Sequence, residues 1–274
     1  MYLTDFHVHS NFSGDAEDSM LDMALASGEA DIDHMCFTDH CDCDHYLTGM
    51  RDDNCFDIWP GILSAFDLLQ RECPSKLEVA LGLELGEANH YPEWGAKIAA
   101  QPELDFVIGS VHSLRGLPDF YAMKYESEEQ CREILFAYID ELIEMAKLDY
   151  IDVMGHIGYT KRYMLRAGFN NQIEEEIYDE PMHELIKTMV QNGKGIEINC
   201  SGFRHPGINN TIPDVKILRM FKDMGGEIIT VGSDAHKVSD AGRGIVHGFK
   251  VLQELGYEYV TIFRGRKPEF IKYM

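Results

Sequence analysis

Two histidines one residue apart, in Asp5-Phe6-His7-Val8-His9, stand near the start of the chain. In an extended strand, residues two apart project from one face, so His7 and His9 point the same way and Val8 the other. A neutral imidazole is the commonest side-chain metal ligand, and a His-x-His pair at a strand end fixes two coordination positions together. Taken alone, the pair also fits a surface strand that happens to carry two histidines. What weighs against that is the rest of the chain. Six later apolar runs end in further donors or polar groups: Asp39 and His40, Glu84, His112, His156, Asn199 and Ser201, then Asp234 and His236.

The elements that must position these groups can be marked. Strand-like runs cover residues 3–8, 35–38, 78–83, 106–111, 151–154, 195–198 and 227–231. Helical periodicity separates most of them, over residues 19–26, 59–69, 127–148, 182–191 and 214–224. Ser127-Glu128-Glu129-Gln130 is a capping-box start, and Asn192-Gly193 and Gly225-Gly226 are stops. Strands recurring roughly every 30 to 45 residues fit βα units with parallel strands. No Gly-x-Gly-x-x-Gly follows the first strand, which argues against a dinucleotide-binding open sheet. An open sheet would also spread seven strand ends too widely. In a closed parallel barrel they meet at one face, so an α/β barrel over residues 1–274, as one domain, is expected.

With 24 basic and 47 acidic residues the net charge is −23. Such a field repels long polyanions, so no long nucleic acid is expected as a partner. Small phosphorylated molecules remain compatible, because divalent cations dominate the field of their own site. The hydrophobic fraction of 45% is ordinary for a globular core. Nothing resembles a secretory signal, and no run reaches the ~18 apolar residues of a membrane span. With seven cysteines, an odd number, a reduced cytoplasmic protein with no membrane partner is expected. Cys41-Asp42-Cys43-Asp44-His45 lacks a second pair at finger-like spacing and is not read as a zinc knuckle. The oligomeric state is left open.

Taken together, His7-x-His9, Thr38-Asp39-His40, Gly82-Leu83-Glu84, Gly109-Ser110-Val111-His112, Gly155-His156 and Gly232-Ser233-Asp234-x-His236 resemble the successive motifs of the PHP (polymerase and histidinol phosphatase) superfamily. The resemblance covers nearly the whole chain in the right order. Within it, His9-Ser10-x-Phe12-Ser13-x-Asp15 and Glu197-x-Asn199-x-Ser201-Gly202-x-Arg204 resemble the histidinol-phosphatase branch, which hydrolyses L-histidinol phosphate in histidine biosynthesis. The resemblance implies a distorted (β/α)7 barrel with three divalent ions at the carboxyl ends of its strands. It implies that His7, His9, Glu84 and Asp234 hold one ion, Glu84, His112 and His156 a second, and Asp15, His40 and His236 a third. Asp15 departs from many superfamily members, which place His there. Singly, His40, His112 or His156 reads as a hydrogen-bonded core histidine; the joint pattern makes coincidence a poor explanation.

Such ions neutralise phosphoryl oxygens, acidify a water and stabilise the leaving alkoxide. Mixed His and carboxylate donors without Cys fit zinc, manganese or iron. Asp5 and Asp39 are expected to orient imidazoles. Arg162 and Arg204 are the preferred phosphate contacts, with Ser201 beside them and Arg115 less favoured, because a guanidinium grips two phosphoryl oxygens at once. Arg162, Arg204 and the ligand Asp234 are thus the expected catalytic residues. Asp42, Glu87 and Asp119 are acids available to an amine or imidazole, and residues 113–126, with Phe120 and Tyr121, could form a lid. Two other readings stand beside this one. One is a phosphoesterase acting on nucleotides, oligonucleotide ends or phosphotyrosine; the other is a metal-binding module without activity.

Overall fold

Seven short strands pair in chain order, each parallel to the next: β1 (Thr4–Val8), β2 (His34–Phe37), β3 (Glu78–Gly86), β4 (Phe106–Ser110), β5 (Val153–Met154), β6 (Gly195–Asn199) and β7 (Ile229–Gly232). This computed structural model describes residues 1–52, 55–73, 76–169 and 179–274. The barrel closes between its first and last strands. Asp234 N–H donates to His7 O at 2.8 Å and His9 N–H to Ala235 O at 2.9 Å. Nearly every strand residue is buried, as expected of parallel strands covered by crossover helices.

The covering helices among the described residues are α1 (Met20–Glu29), α2 (Cys55–Glu72), α3 (Pro92–Ala99), α4 (Glu128–Met145), α5 (Lys161–Arg166), α6 (Asp179–Gln191), α7 (Val215–Asp223) and α8 (Ile245–Glu254). Their starts follow the sequence. Ser19 caps α1 by accepting from Asp22 N–H, Ser127 caps α4 from Gln130 N–H, and Asp214 caps α7 from two amides.

Two features lie outside the sequence reading. The first is a C-terminal antiparallel hairpin, β8 (Tyr259–Arg264) and β9 (Lys267–Lys272). Its Ile262 and Phe263 form an apolar cluster with Phe6, Ala80, Phe106 and Val153, and its turn bonds to Asp105 at the start of β4. The hairpin therefore seals the amino-terminal ends of the strands and leaves the carboxyl ends open. The second is a disulfide between Cys41 and Cys55, which corrects the expectation of a fully reduced chain. The turn after β2 folds back onto the start of α2 and brings their Cα atoms to 5.3 Å. Cys36, Cys43, Cys73, Cys131 and Cys200 are free. No described helix is long and apolar enough to cross a membrane.

Candidate metal centre

The nine residues singled out as donors meet at the open face of the barrel. His7 is in β1 and His9 follows it, with Asp15 in the turn beyond; His40 follows β2 and bridges to Glu84 in β3. His112 and His156 stand two residues past β4 and β5, and Asp234 and His236 follow β7. Asp234 takes a left-handed backbone, φ +56°, a conformation that Asp tolerates better than most residues.

Glu84 is the hub. Its Oε2 lies 3.2 Å from His7 Nε2 and 3.4 Å from His9 Nε2, while its Oε1 lies 3.2 Å from His112 Nε2 and 2.7 Å from His156 Nε2. The two nitrogens of His7 and His9 are 3.1 Å apart, and those of His112 and His156 are 3.4 Å apart. Asp234 Oδ1 completes the first group at 3.5 Å from His9 Nε2 and 3.8 Å from His7 Nε2. Donors sharing one tetrahedral ion at ~2.0–2.1 Å must stand about 3.3 Å from one another. The first group lies near that spacing, from 3.1 to 3.8 Å, as does His112 with His156 and with Glu84; His156 and Glu84 are closer, at 2.7 Å. Beside them, Asp15 reaches His40 Nε2 at 3.7 Å and His236 Nε2 at 3.3 Å. His40 also turns Nδ1 to within 3.0 Å of Glu84 Oε2, so it stands between this third group and the hub. Glu84 Oε2 is buried without a well-formed hydrogen bond, as fits an oxygen whose partner is a cation.

The electrostatics run the same way. Burial opposes charge on every one of these groups, yet Glu84 is held well below the usual carboxylate range by His7, His40 and His112. Asp234 is held well below it by His7, His9 and His236. Against the same burial, Glu197 and Glu84 hold His7 well above the ordinary imidazole range, and Glu84 and Asp42 hold His112 there. His40 is lifted to about 10, again against burial, by Glu84 and Asp42. His9, buried and facing His236 and His40, is pushed well below. The centre draws positive charge, and protons and cations compete for the same nitrogens.

Behind the donors lies a layer of acids. His9 Nδ1 is 3.0 Å from Ser13 Oγ, and that hydroxyl donates to Asp39 Oδ1 at 2.7 Å. Asp39 thus reaches His9 through Ser13. Asp5 reaches no imidazole: its Oδ1 accepts from Ser233 N–H at 2.8 Å and braces the turn that carries Asp234. Burial raises its pKa to about 6. The acid that does meet His7 is Glu197, 2.7 Å from Nδ1. The sequence contains its signal, an acid in the middle of the apolar run Gly195-Ile196-Glu197-Ile198. Glu87 is occupied by the backbone amides of His112 and Ser113.

A cavity of about 750 Å³ opens over the centre, walled by every donor except His7 and His9 and by Asp42, Asp119, Tyr159, Ser201, Arg162 and Arg204. Arg162, on α5, lays its guanidinium over the Tyr159 ring at 3.9 Å and donates from Nη1 to His205 Nε2 at 3.0 Å. Its Nε is buried without a hydrogen-bond partner. Arg204 is more committed, with Nη2 donating to Asp234 O at 2.8 Å and Nε 3.8 Å from Asp240. Arg115 donates to the carbonyls of His90 and Asn89 and does not line the cavity. Ser201 is held by Asn199, its Oγ donating to Asn199 Oδ1 at 2.6 Å. In the segment read as a lid, Phe120 is wholly buried against Tyr138, which leaves Tyr121 as the aromatic at the rim.

Comparison with known proteins shows the family and the fold. The sequence model of the PHP domain matches residues 5–201. The chain is 28% identical to histidinol-phosphatase of Lactococcus lactis, over 96% of this chain and 95% of that protein. It is 27% identical to a probable histidinol-phosphatase of Clostridium acetobutylicum, over 91% and 92%. The crystal structure of histidinol phosphate phosphatase from Lactococcus lactis, complexed with zinc, L-histidinol and phosphate, shares the fold. It superposes with a TM-score of 0.76 at 23% identity, covering 97% of this chain and 98% of that one.

Proposed function

Since this chain belongs to the PHP domain family, we propose that it is a metal-dependent phosphomonoesterase that hydrolyses L-histidinol phosphate to L-histidinol and phosphate. The relatives that carry this activity in their names align over nearly the whole chain, which supports assigning the reaction to residues 1–274 as one unit. The observation that carries the reading is the set of nine donors around Glu84 under a single cavity with two arginines. The donor groups fit three divalent ions: one on His7, His9, Glu84 and Asp234, one on Glu84, His112 and His156, one on Asp15, His40 and His236. Nitrogen and oxygen donors without sulfur suit zinc, manganese or iron.

Bound there, divalent ions supply charge neutralisation for the phosphoryl group and an acidified water. The chain's own residues do the rest. Glu84 offers one oxygen to each of two groups and sets their separation. Arg162 is pinned by His205 and Tyr159 and has donors to spare for two phosphoryl oxygens. Arg204 holds the Asp234 backbone and stands across the same mouth, with Ser201 beside it. Asp42 and Asp119 give the wall an acidic side suited to an ammonium or imidazolium. The partner is a small phosphorylated molecule, and a step in amino-acid biosynthesis suits a cytoplasmic location.

The test is a phosphate-release panel with L-histidinol phosphate beside nucleotides and phosphotyrosine. The highest kcat/KM should belong to L-histidinol phosphate. A higher value on a nucleotide or phosphotyrosine would move the activity to that substrate.

A further inference from the structure

We infer that Glu197 is a positioning residue that fixes two metal-binding histidines at once, His7 through its ring and His156 through its backbone. The inference rests on the metal reading above and extends it to a residue that donates to no ion. Glu197 lies mid-strand in β6 and is wholly buried. Its Oε1 is 2.7 Å from His7 Nδ1, and its Oε2 accepts the His156 N–H at 2.8 Å. Asn199 Nδ2 approaches both oxygens at 3.2 Å and also lies 3.3 Å from Asp234 Oδ2. A buried carboxylate is costly unless its oxygens are well supplied with donors, and here both are.

The arrangement has a direction. By accepting from Nδ1–H, Glu197 leaves His7 Nε2 bare and turned toward Glu84 and Asp234. Holding the His156 amide fixes the first turn beyond β5, from which that ring reaches Glu84. His7 and His156 belong to different donor groups, so one carboxylate sets the geometry of both. Ser13, held by Asp39, meets the His9 ring and accepts the His40 N–H at 3.1 Å, and it reaches neither His7 nor His156. The backbone makes room for this. A Cβ at Gly232 would stand 2.5 Å from Glu197 Oε1 and 2.4 Å from His7 Cβ, so only glycine lets the pair close up there. An amide could not replace the acid, since glutamine would turn a donor toward one of two donors.

The test titrates wild type, Glu197→Gln and Ser13→Ala with a chelator, reading divalent ions per chain by elemental analysis. Thermal unfolding of each ion-free protein is recorded in parallel. Glu197→Gln should release ions at about 10–100-fold less chelator than wild type, as expected for loss of a group that orients ligands. The ions of the two groups containing His7 and His156 should leave together, and that of Asp15, His40 and His236 should stay. Its ion-free form should stay folded at the temperature of the titration. Ser13→Ala should loosen the groups containing His9 and His40 and leave that of His112 and His156 as in wild type. Glu197→Gln that keeps its ions like wild type would overturn the inference, as would ion loss that merely tracks a lowered ion-free Tm. If Glu197→Gln does not fold, Glu197→Asp is read on the same titration; it keeps the charge but is too short to reach both partners. Wild type that holds no ions would overturn the metal reading itself, and the inference with it.

Discussion

Arg162 and Arg204 face the same cavity but are tied down differently, and the difference can be measured. Arg162 has a buried Nε without a partner, whereas Arg204 already serves the Asp234 carbonyl. Arg162→Lys keeps the charge and loses the planar fork. Its kcat/KM should fall on the order of a hundredfold, the usual cost of one donor aimed at developing charge, with ion content unchanged. Arg204→Lys should cost less. Equal losses in both variants would show the two arginines acting as one clamp, and an unaffected Arg162→Lys would return that residue to the wall. For the donors, alanine at His7, His9, His112 or His156 should cost more than the ~10–100-fold typical of groups that only orient ligands. Activity surviving within a few-fold would remove that residue from the set.

The hairpin of β8 and β9 and the loops around His90 carry no chemistry, yet they hold the barrel in shape. Phe263 is buried against Phe106 with ring centroids 4.8 Å apart, and Phe263→Ala should cost about 3–5 kcal/mol in denaturant unfolding. His90 is clamped between the turns after β2 and β3 and helix α4, with Asp44 2.5 Å from Nδ1 and Glu141 3.2 Å from Nε2. Burial works against the charge, but these carboxylates lift its pKa from 6.5 to about 9. A folded pKa above the unfolded one stabilises fully below about pH 6.5, and the contribution fades as pH rises through about 9. Wild type should therefore lose stability relative to His90→Phe between pH 6.5 and 9.5. A constant difference across that range would mean that His90 does not hold the extra proton. The seven barrel strands were legible because each is an apolar run ending in a polar donor. The hairpin was not, although Gly265-Arg266 between two β-rich runs is a two-residue turn signal. Its strands lie outside the βα alternation that organised the reading. Glu197 stands in the branch motif, but its orienting role is not legible there, because what distinguishes an orienting acid from a solvated one is burial, and 47 acidic residues hide the few that matter. The Cys41–Cys55 pair depends on how the turn after β2 meets α2, which spacing alone does not give.

Seven strands closing between His7 and Asp234 turn donors scattered over 230 positions into one basin, and the hairpin leaves that basin a single open end. Around it the chain carries a net charge of −23. An anionic phosphate ester approaching this field is repelled until it meets the ions. Raising ionic strength from about 10 mM to 150 mM shortens the Debye length from about 30 Å to 8 Å, so kcat/KM should rise. A fall would show that the cationic mouth, and not the whole surface, governs the encounter. All of this hangs on the ions. Elemental analysis of active protein prepared without chelators tests that most directly. The donor geometry predicts close to three divalent ions per chain; one ion or none, in protein that still turns over substrate, would contradict it.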